Sequence, residues 1–181
     1  MPLPPPRILI VQHHKENPKK CTVTAIRERP DVEVKVLRPG PSAYPALPVE
    51  GGILLAVNAP TLRQEDRELL AEPGRCLVLV DANWVKVSRI LRAIEPRGPL
   101  EHRTLPAGFL TAYPRRSKVF EDPSGGLATV EAIVAALAVL GMPDTSFLDG
   151  YVWKDRFLEL NRPLLLRPDD SGCTDSAAPL E

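Results

Sequence analysis

The sequence predicts an α/β domain with a mainly parallel sheet flanked by helices. Short apolar runs such as residues 76–80 (CLVLV) are continuous, which is typical of strands buried on both faces of a parallel sheet. Between these runs lie segments with apolar residues at helical spacing, such as residues 85–93. Because strands and helices alternate along the chain, a parallel sheet covered by helices is the favoured architecture.

Composition limits the class of protein. With 181 residues, the chain has the length of one domain, and we expect a flexible leader over 1–6, a single domain over 7–166 and a disordered tail over 167–181. Lys plus Arg and Asp plus Glu both number 23, so an RNA site would require a local basic patch. The three cysteines lack metal-ligand spacing, which predicts no metal and a reducing, cytoplasmic setting.

Five strands are predicted in chain order. Four are short apolar or alternating runs and the last is apolar around one threonine; they cover residues 7–12, 32–37, 51–57, 76–80 and 107–112. The proline-rich segment 38–48 and the polar segment 95–104 are predicted to be connections without strands.

Helices are predicted over 21–29, from Thr61 to Pro73, over 85–93, over 127–140 and within 147–166, centred on 151–160. Thr61 and Gln64 have the spacing of a capping box. The helix over 127–140 is apolar nearly all round, so it should be buried, yet it carries Glu131. A lone acid there needs a partner inside the fold or a role in a site, and both alternatives remain open.

Asp81 directly follows the buried strand over 76–80, and Trp84 comes three residues later. Ligands of parallel sheets bind beyond the carboxyl ends of the strands, so both residues are expected at that edge. Asp81 suits either the N-cap of the next helix or a catalytic carboxylate, and the pattern alone favours the cap. Trp84 is equally compatible with core packing. The adjacent His13 and His14 lack a third metal ligand, which favours solvated or phosphate-facing side chains.

The segment 113–118 (YPRRSK) combines three positive charges with one aromatic residue. A solvated loop is the default interpretation, but such a loop also suits an RNA backbone and a stacked base. The sequence has no G-x-G-x-x-G, G-x-x-x-x-G-K-[ST], H-E-x-x-H or G-x-S-x-G motif. Dinucleotide, P-loop, metalloprotease and common serine-hydrolase functions are therefore disfavoured.

Short motifs in a fixed order resemble one known superfamily. They are residues 17–22 (NPKKCT), 81–84 (DANW), 105–106 (LP), 126–132 (GLATVEA) and 157–162 (FLELNR). This order resembles the superfamily that joins the DTW-domain proteins and the Tsr3-type ribosomal RNA enzymes. The resemblance runs from about residue 8 to residue 165, which is nearly the whole predicted domain.

This resemblance implies a SPOUT-like fold with a C-terminal trefoil knot. It also implies S-adenosylmethionine as the donor substrate, without a metal, and transfer of its 3-amino-3-carboxypropyl group to a uridine. We expect tRNA as the acceptor first and rRNA next, and a monomeric protein. Two alternatives remain: an RNA methyltransferase of the same fold, and a non-catalytic RNA- or ribosome-binding protein.

The resemblance also implies roles for individual residues. Asp81 would serve as the catalytic carboxylate, which removes a proton from the uracil or orients it. The residues implied to hold the donor are Thr22, Trp84, Leu105, Leu110, Thr111, Ala112, Tyr113, Leu127 and Thr129. The residues implied to contact RNA are Lys19, Lys20, Arg115, Arg116 and Lys118.

The chain departs from the superfamily pattern at two positions. Position 83 is Asn where the superfamily has Thr or Ser, and position 128 is Ala where Ser is common. The cysteine cluster near the start of many DTW proteins is also missing. These departures are the main support for the non-catalytic alternative.

Overall fold

The computed structural model describes residues 5–16, 21–114 and 126–166. The predicted tail over 167–181 lies outside this part, as do the first four residues of the predicted leader. Within the described part, no helix is long and apolar enough to cross a membrane.

Seven strands lie in the described residues and form two parallel sheets. In chain order they are β1 (Arg7–His13), β2 (Val32–Leu37), β3 (Leu47–Val49), β4 (Gly52–Leu55), β5 (Cys76–Asp81), β6 (Ile94–Pro96) and β7 (Leu100–Arg103). The central sheet has the order β2-β1-β5-β4-β7, and β3 pairs with β6 beside it. The predicted α/β class with a mainly parallel sheet is confirmed. The trefoil knot stays a prediction.

The centre of the sheet consists of β1 and β5, because these strands carry apolar side chains on both faces. On one face Ile10 and Leu77 join a core of buried residues, and on the other face Leu9 and Val78 join a second core. All four side chains are nearly inaccessible to water. The continuous apolar runs in the sequence arise from this burial on both faces.

Three α-helices cover the sheet: α1 (Trp84–Leu91), α2 (Thr129–Val139) and α3 (Lys154–Leu165). The face with Ile10 and Leu77 packs against α2, α3 and a 3-10 helix over Thr22–Ile26. The opposite face packs against α1 and the small sheet of β3 and β6. Because α2 is enclosed between the sheet and its neighbours, most of its side chains are buried, as its composition predicts.

The fifth predicted strand, over 107–112, is wrong. This segment has no strand; its apolar pattern reflects the burial of Phe109 and Ala112 in a loop. The backbone groups that a strand would pair are bonded to side chains instead. Asn161 bonds the N–H and the C=O of Leu110, and Glu131 accepts the N–H of Ala112.

The two predicted connections contain short strands that the sequence pattern misses. The segment 95–104 holds most of β6 and all of β7, and the segment 38–48 runs into β3. Because β7 is an edge strand that pairs only with β4, Glu101 and His102 are exposed, and no apolar run marks the strand.

Three predicted helices differ in extent or type from the observed ones. The helix expected over 21–29 is a 3-10 helix over Thr22–Ile26. The helix expected from Thr61 is a 3-10 helix over Gln64–Leu70, because Thr61 pairs with Thr104. The Asp66 carboxylate, not a Thr61–Gln64 box, accepts the first backbone N–H of this helix, from Arg63. The helix expected within 147–166 is divided into a 3-10 helix over Thr145–Leu148 and α3, because Gly150 adopts a φ of 78° between them.

Replacing Asn83 with alanine should lower the free energy of unfolding by about 1 kcal/mol. The Asn83 Oδ1 atom accepts the Val85 N–H at 3.0 Å and so caps α1. Urea unfolding followed by circular dichroism measures the change. The matched variant Asn83→Ser keeps a capping oxygen and should stay close to the unaltered protein. Equal destabilisation by both substitutions would contradict the capping role.

Candidate active site

The strand order places a crevice between the carboxyl ends of β1 and β5. After β1 the chain crosses to β2 on one side, whereas after β5 it passes through α1 to β7 on the other side. The two connections diverge at this point, and parallel sheets bind ligands beyond the strand ends where connections diverge. Gln12 of β1 and Asp81 of β5 are register partners at this point.

Asp81 accepts hydrogen bonds from three neutral groups. The Gln12 Nε2 atom donates to Oδ2 at 2.8 Å, and the Thr129 hydroxyl donates to Oδ1 at 2.8 Å. The Cys21 thiol lies 3.5 Å from Oδ2. The residue is only half-buried, and each carboxylate oxygen has two lone pairs, so Asp81 retains capacity to accept a proton or hydrogen bond from a ligand.

The N-cap interpretation of Asp81 is wrong. Asn83 caps α1, two residues further along the chain, while Asp81 bonds to Gln12 and Thr129 across the crevice. Asparagine is as good an N-cap as the serine or threonine of the superfamily pattern. The departure at position 83 therefore preserves the local structure.

The pKa of the Cys21 thiol is affected by the charge of Asp81. Burial raises the pKa of Cys21, and the neighbouring Asp81 carboxylate raises it further, because both disfavour the thiolate. The Gln12 Nε2 atom also lies 3.0 Å from the Cys21 sulfur. Thr22, predicted to contact the donor, follows directly and begins the adjacent 3-10 helix.

The first turn of α2 connects the crevice to the loop over 110–113. Thr129 bonds to Asp81, and two residues later Glu131 is fully buried with four neutral donors. These donors are the Thr111 hydroxyl at 2.6 Å, the Ala112 N–H at 2.8 Å, the Ala128 N–H at 2.8 Å and the Tyr151 hydroxyl at 2.9 Å. Glu131 therefore has hydrogen-bond partners inside the fold, which supports a structural role over a role in a site.

Asn161 of α3 also forms hydrogen bonds with the loop over 110–113. The buried Asn161 side chain accepts the Leu110 N–H at 2.7 Å and donates to the Leu110 C=O at 2.8 Å. The Tyr113 N–H donates to the Thr111 hydroxyl oxygen at 3.1 Å. Three N–H groups of the loop are therefore hydrogen-bonded within the protein.

The remaining predicted donor residues surround this arrangement. Leu105, Tyr113 and Leu127 are half-buried and pack against the core shared with α2, whereas 52% of the Leu110 surface is exposed. Trp84 is the first residue of α1, but its side chain lies outside the described part, and so do the five residues predicted to contact RNA. Their roles stay predictions.

The two adjacent histidines differ in environment. His13 is buried, which contradicts a solvated side chain, and its Nδ1 atom accepts the Lys15 N–H at 3.1 Å. Burial lowers the pKa of His13, and the positive charge of Lys86 lowers it further. Its ring centroid is 4.5 Å from that of His14. No group of three potential metal ligands occurs among the described residues.

Sequence reasoning did not assign roles to Gln12, Arg27, Tyr151 or Asn161. Gln12 was detectable as a polar residue at the end of an apolar strand, and Asn161 as a polar residue within the 157–162 motif. Arg27 and Tyr151 carried no comparable signal, because their importance depends on contacts between distant segments. A separate groove of about 490 Å³ between α2 and α3 is lined by none of the predicted site residues.

The fold defines an α/β domain with an acidic group, Asp81, at the switch point of its parallel sheet. Comparison with known families identifies the class of protein more closely. The chain belongs to the Tsr3-type family, because the family model described as "Ribosome biogenesis protein, C-terminal" matches residues 53–177. The DTW-domain and SPOUT parts of the resemblance stay predictions.

Individual relatives agree with this assignment. The chain is 33% identical over 160 residues to a protein of Methanopyrus kandleri named 16S rRNA aminocarboxypropyltransferase, covering 87% of this chain and 86% of that one. A Methanothermobacter thermautotrophicus protein of the same name is 27% identical over 160 residues, with the same coverage. The solved structure of the SAM-dependent rRNA:acp-transferase Tsr3 from Vulcanisaeta distributa is similar with a TM-score of 0.63 and 26% identity, covering 88% of this chain and 80% of that one.

Replacing Asp81 with asparagine should lower the pKa of the Cys21 thiol, since it removes a neighbouring negative charge that disfavours the thiolate. The pKa should remain above the ordinary value, because burial persists. The pH dependence of iodoacetamide alkylation measures it in a Cys173→Ser background. Cys76, whose pKa is raised chiefly by burial, is the internal control. An unchanged Cys21 pKa would contradict the observed proximity of Asp81 and Cys21.

Replacing Glu131 with glutamine should lower the free energy of unfolding by about 1–3 kcal/mol, because an NH₂ group would then face hydrogen-bond donors. Chemical denaturation measures the change. Glu159, an exposed acid on α3, provides the control variant Glu159→Gln. Similar stability of both variants would show that the four contacts of Glu131 contribute little.

Proposed function

We propose that the protein transfers the 3-amino-3-carboxypropyl group of S-adenosylmethionine to a uridine of small-subunit rRNA. The relatives are named for 16S rRNA, and the similar solved structure is named as SAM-dependent. This evidence favours rRNA over tRNA as the acceptor and so reverses the order expected from sequence.

The observation that carries the proposal is the environment of Asp81. In the part of the chain that the structure describes, its donors are an amide, a hydroxyl and a thiol, and no positive group of that part contacts the carboxylate. A negative, half-exposed carboxylate in a ligand crevice is suited to a positively charged substrate, and S-adenosylmethionine carries a sulfonium. The same carboxylate has the chemistry of a base for an acceptor nitrogen.

The backbone of the loop over 110–113 is suited to bind the adenine and methionine parts of the donor. The N–H groups of Leu110, Ala112 and Tyr113 and the C=O of Leu110 are engaged within the protein, so the carbonyl oxygens of residues 111 and 112 would be the polar groups that meet a ligand. Carbonyl oxygens accept hydrogen bonds from amino groups, which the donor carries on its adenine and its methionine part. The half-buried Leu105 and Leu127 would add apolar contacts.

The proposed reaction is a displacement at carbon. A ring nitrogen of the uracil loses its proton and bonds to the γ-carbon of the methionine part, while the bond between this γ-carbon and sulfur breaks and its electron pair stays on the sulfur. The second product is therefore methylthioadenosine. Asp81 would accept the proton or orient the ring, and the crevice would select the reacting carbon by placing it in line with the nitrogen.

RNA binding would rest on the basic residues near positions 19–20 and 115–118. The chain has no net charge, so its affinity for RNA must come from such a local cluster. The segment that contains Lys19 and Lys20 leads directly into Cys21 at the crevice. This order in the chain supports an RNA path that ends beside Asp81.

The test is mass analysis of nucleosides after incubation of the protein with S-adenosylmethionine and unmodified small-subunit rRNA, with tRNA as a parallel substrate. We expect an aminocarboxypropyl addition to rRNA and a loss of at least about a hundredfold in rate for Asp81→Asn. Calorimetric titration should show that this variant loses less donor affinity than rate, whereas Trp84→Ala loses donor binding.

Other results would replace the proposal. A methyl addition would identify an RNA methyltransferase, and modification of tRNA alone would restore the original order of acceptors. RNA binding without donor binding or product, with RNA present, would identify a non-catalytic RNA-binding protein. Full activity of Asp81→Asn would remove Asp81 from the mechanism.

A further inference from the structure

We propose that Gln12 and Arg27 form a positioning pair for Asp81, in which the Arg27 guanidinium sets the orientation of the Gln12 amide. The inference rests on the proposed function, because it concerns the geometry of the carboxylate during transfer. Neither residue belongs to the motifs that carry the superfamily resemblance.

The Gln12 side chain is buried, with 5% of its surface exposed, at the carboxyl end of β1. Its Nε2 atom donates to Asp81 Oδ2 at 2.8 Å and lies 3.0 Å from the sulfur of Cys21. Its Oε1 atom accepts from Arg27 Nη2 at 2.6 Å. Both ends of the amide are therefore engaged, which fixes which end faces Asp81.

Orientation matters because the two ends of an amide have opposite hydrogen-bonding character. If the Gln12 amide were reversed, its carbonyl oxygen would face the Asp81 carboxylate and repel it. Arg27 prevents this reversal, since a guanidinium only donates hydrogen bonds and so requires Oε1 on its side. The Arg27 side chain thus determines that an N–H group reaches Asp81.

The Gln12 amide also separates the positive charge of Arg27 from Asp81, the proposed proton acceptor. A guanidinium in direct contact with Asp81 would favour its ionised form and so weaken it as a proton acceptor. With Gln12 between them, Asp81 is held in place by a neutral donor. Among the described residues, the titratable groups next to this arrangement are Cys21, in contact with Asp81, and Arg27, behind Gln12.

Arg27 is exposed, so its substitution should not disturb folding. We would compare Arg27→Gln and Arg27→Lys in single-turnover transfer at saturating RNA and donor. The control is Arg97→Gln, which removes an exposed charge paired with Glu50 in the connections before β4 and β7. Arg27→Gln should slow transfer by about tenfold to a hundredfold without a matching loss of donor affinity. Arg27→Lys should recover part of the rate, and Arg97→Gln should leave it unchanged.

The variant Gln12→Glu distinguishes a positioning role of Gln12 from a purely structural role. A carboxylate at position 12 keeps the contact with Arg27 but repels Asp81, whereas its protonated form donates a hydrogen bond to Asp81. The rate of this variant relative to the unaltered protein should therefore rise as the pH falls. A purely structural defect would give a ratio that does not change with pH.

The outcomes are distinguishable. Unchanged transfer by Arg27→Gln, or a pH-independent ratio for Gln12→Glu, would overturn the positioning pair while leaving the proposed function intact. Recovery of the full Arg27→Gln rate at RNA concentrations above those that saturate the unaltered protein would also overturn it, because Arg27 would then be an RNA contact. If the unaltered protein transfers no group to RNA, the proposed function fails first and the inference fails with it.

Discussion

The buried carboxylate of Glu131 is the constraint on which the site depends. A charged group without access to water must be satisfied by hydrogen bonds, and Glu131 obtains four from neutral donors. These donors come from the loop over 110–113, from the start of α2 and from Tyr151. These hydrogen bonds therefore join three segments, and one of them engages the Ala112 N–H in the stretch over 107–112, which is not a strand.

Asp81 and Glu131 show how exposure decides the role of an acid. Both accept hydrogen bonds from neutral groups, and α2 contributes to both through its first turn. Glu131 is enclosed, so its bonding capacity is used within the fold. Asp81 is half-exposed at the point where the strand connections diverge, so part of its capacity remains for a ligand.

The two departures from the superfamily pattern have local explanations that do not require loss of activity. Asn83 caps α1 through its side-chain oxygen, as a serine or threonine would. The Ala128 side chain cannot cap α2, but the Ala128 N–H donates a hydrogen bond to the Glu131 carboxylate. One of the two hydrogen bonds of a capping box is therefore present. The support that these positions lend to a non-catalytic protein is correspondingly weaker.

The residues alone predicted the α/β class, the strands β1 and β5, the buried helix α2 and the position of Asp81 at a strand end. These features follow from local patterns, since burial on two faces demands continuous apolar runs. The short strands β6 and β7 and the role of Asn83 as the cap were decided by pairing and by local geometry that the pattern did not distinguish. The contacts of Gln12 with Arg27, of Asp81 with Thr129 and of Asn161 with Leu110 join segments far apart in the chain. Such contacts arise only when packing brings those segments together, so only the tertiary structure could assemble the candidate site.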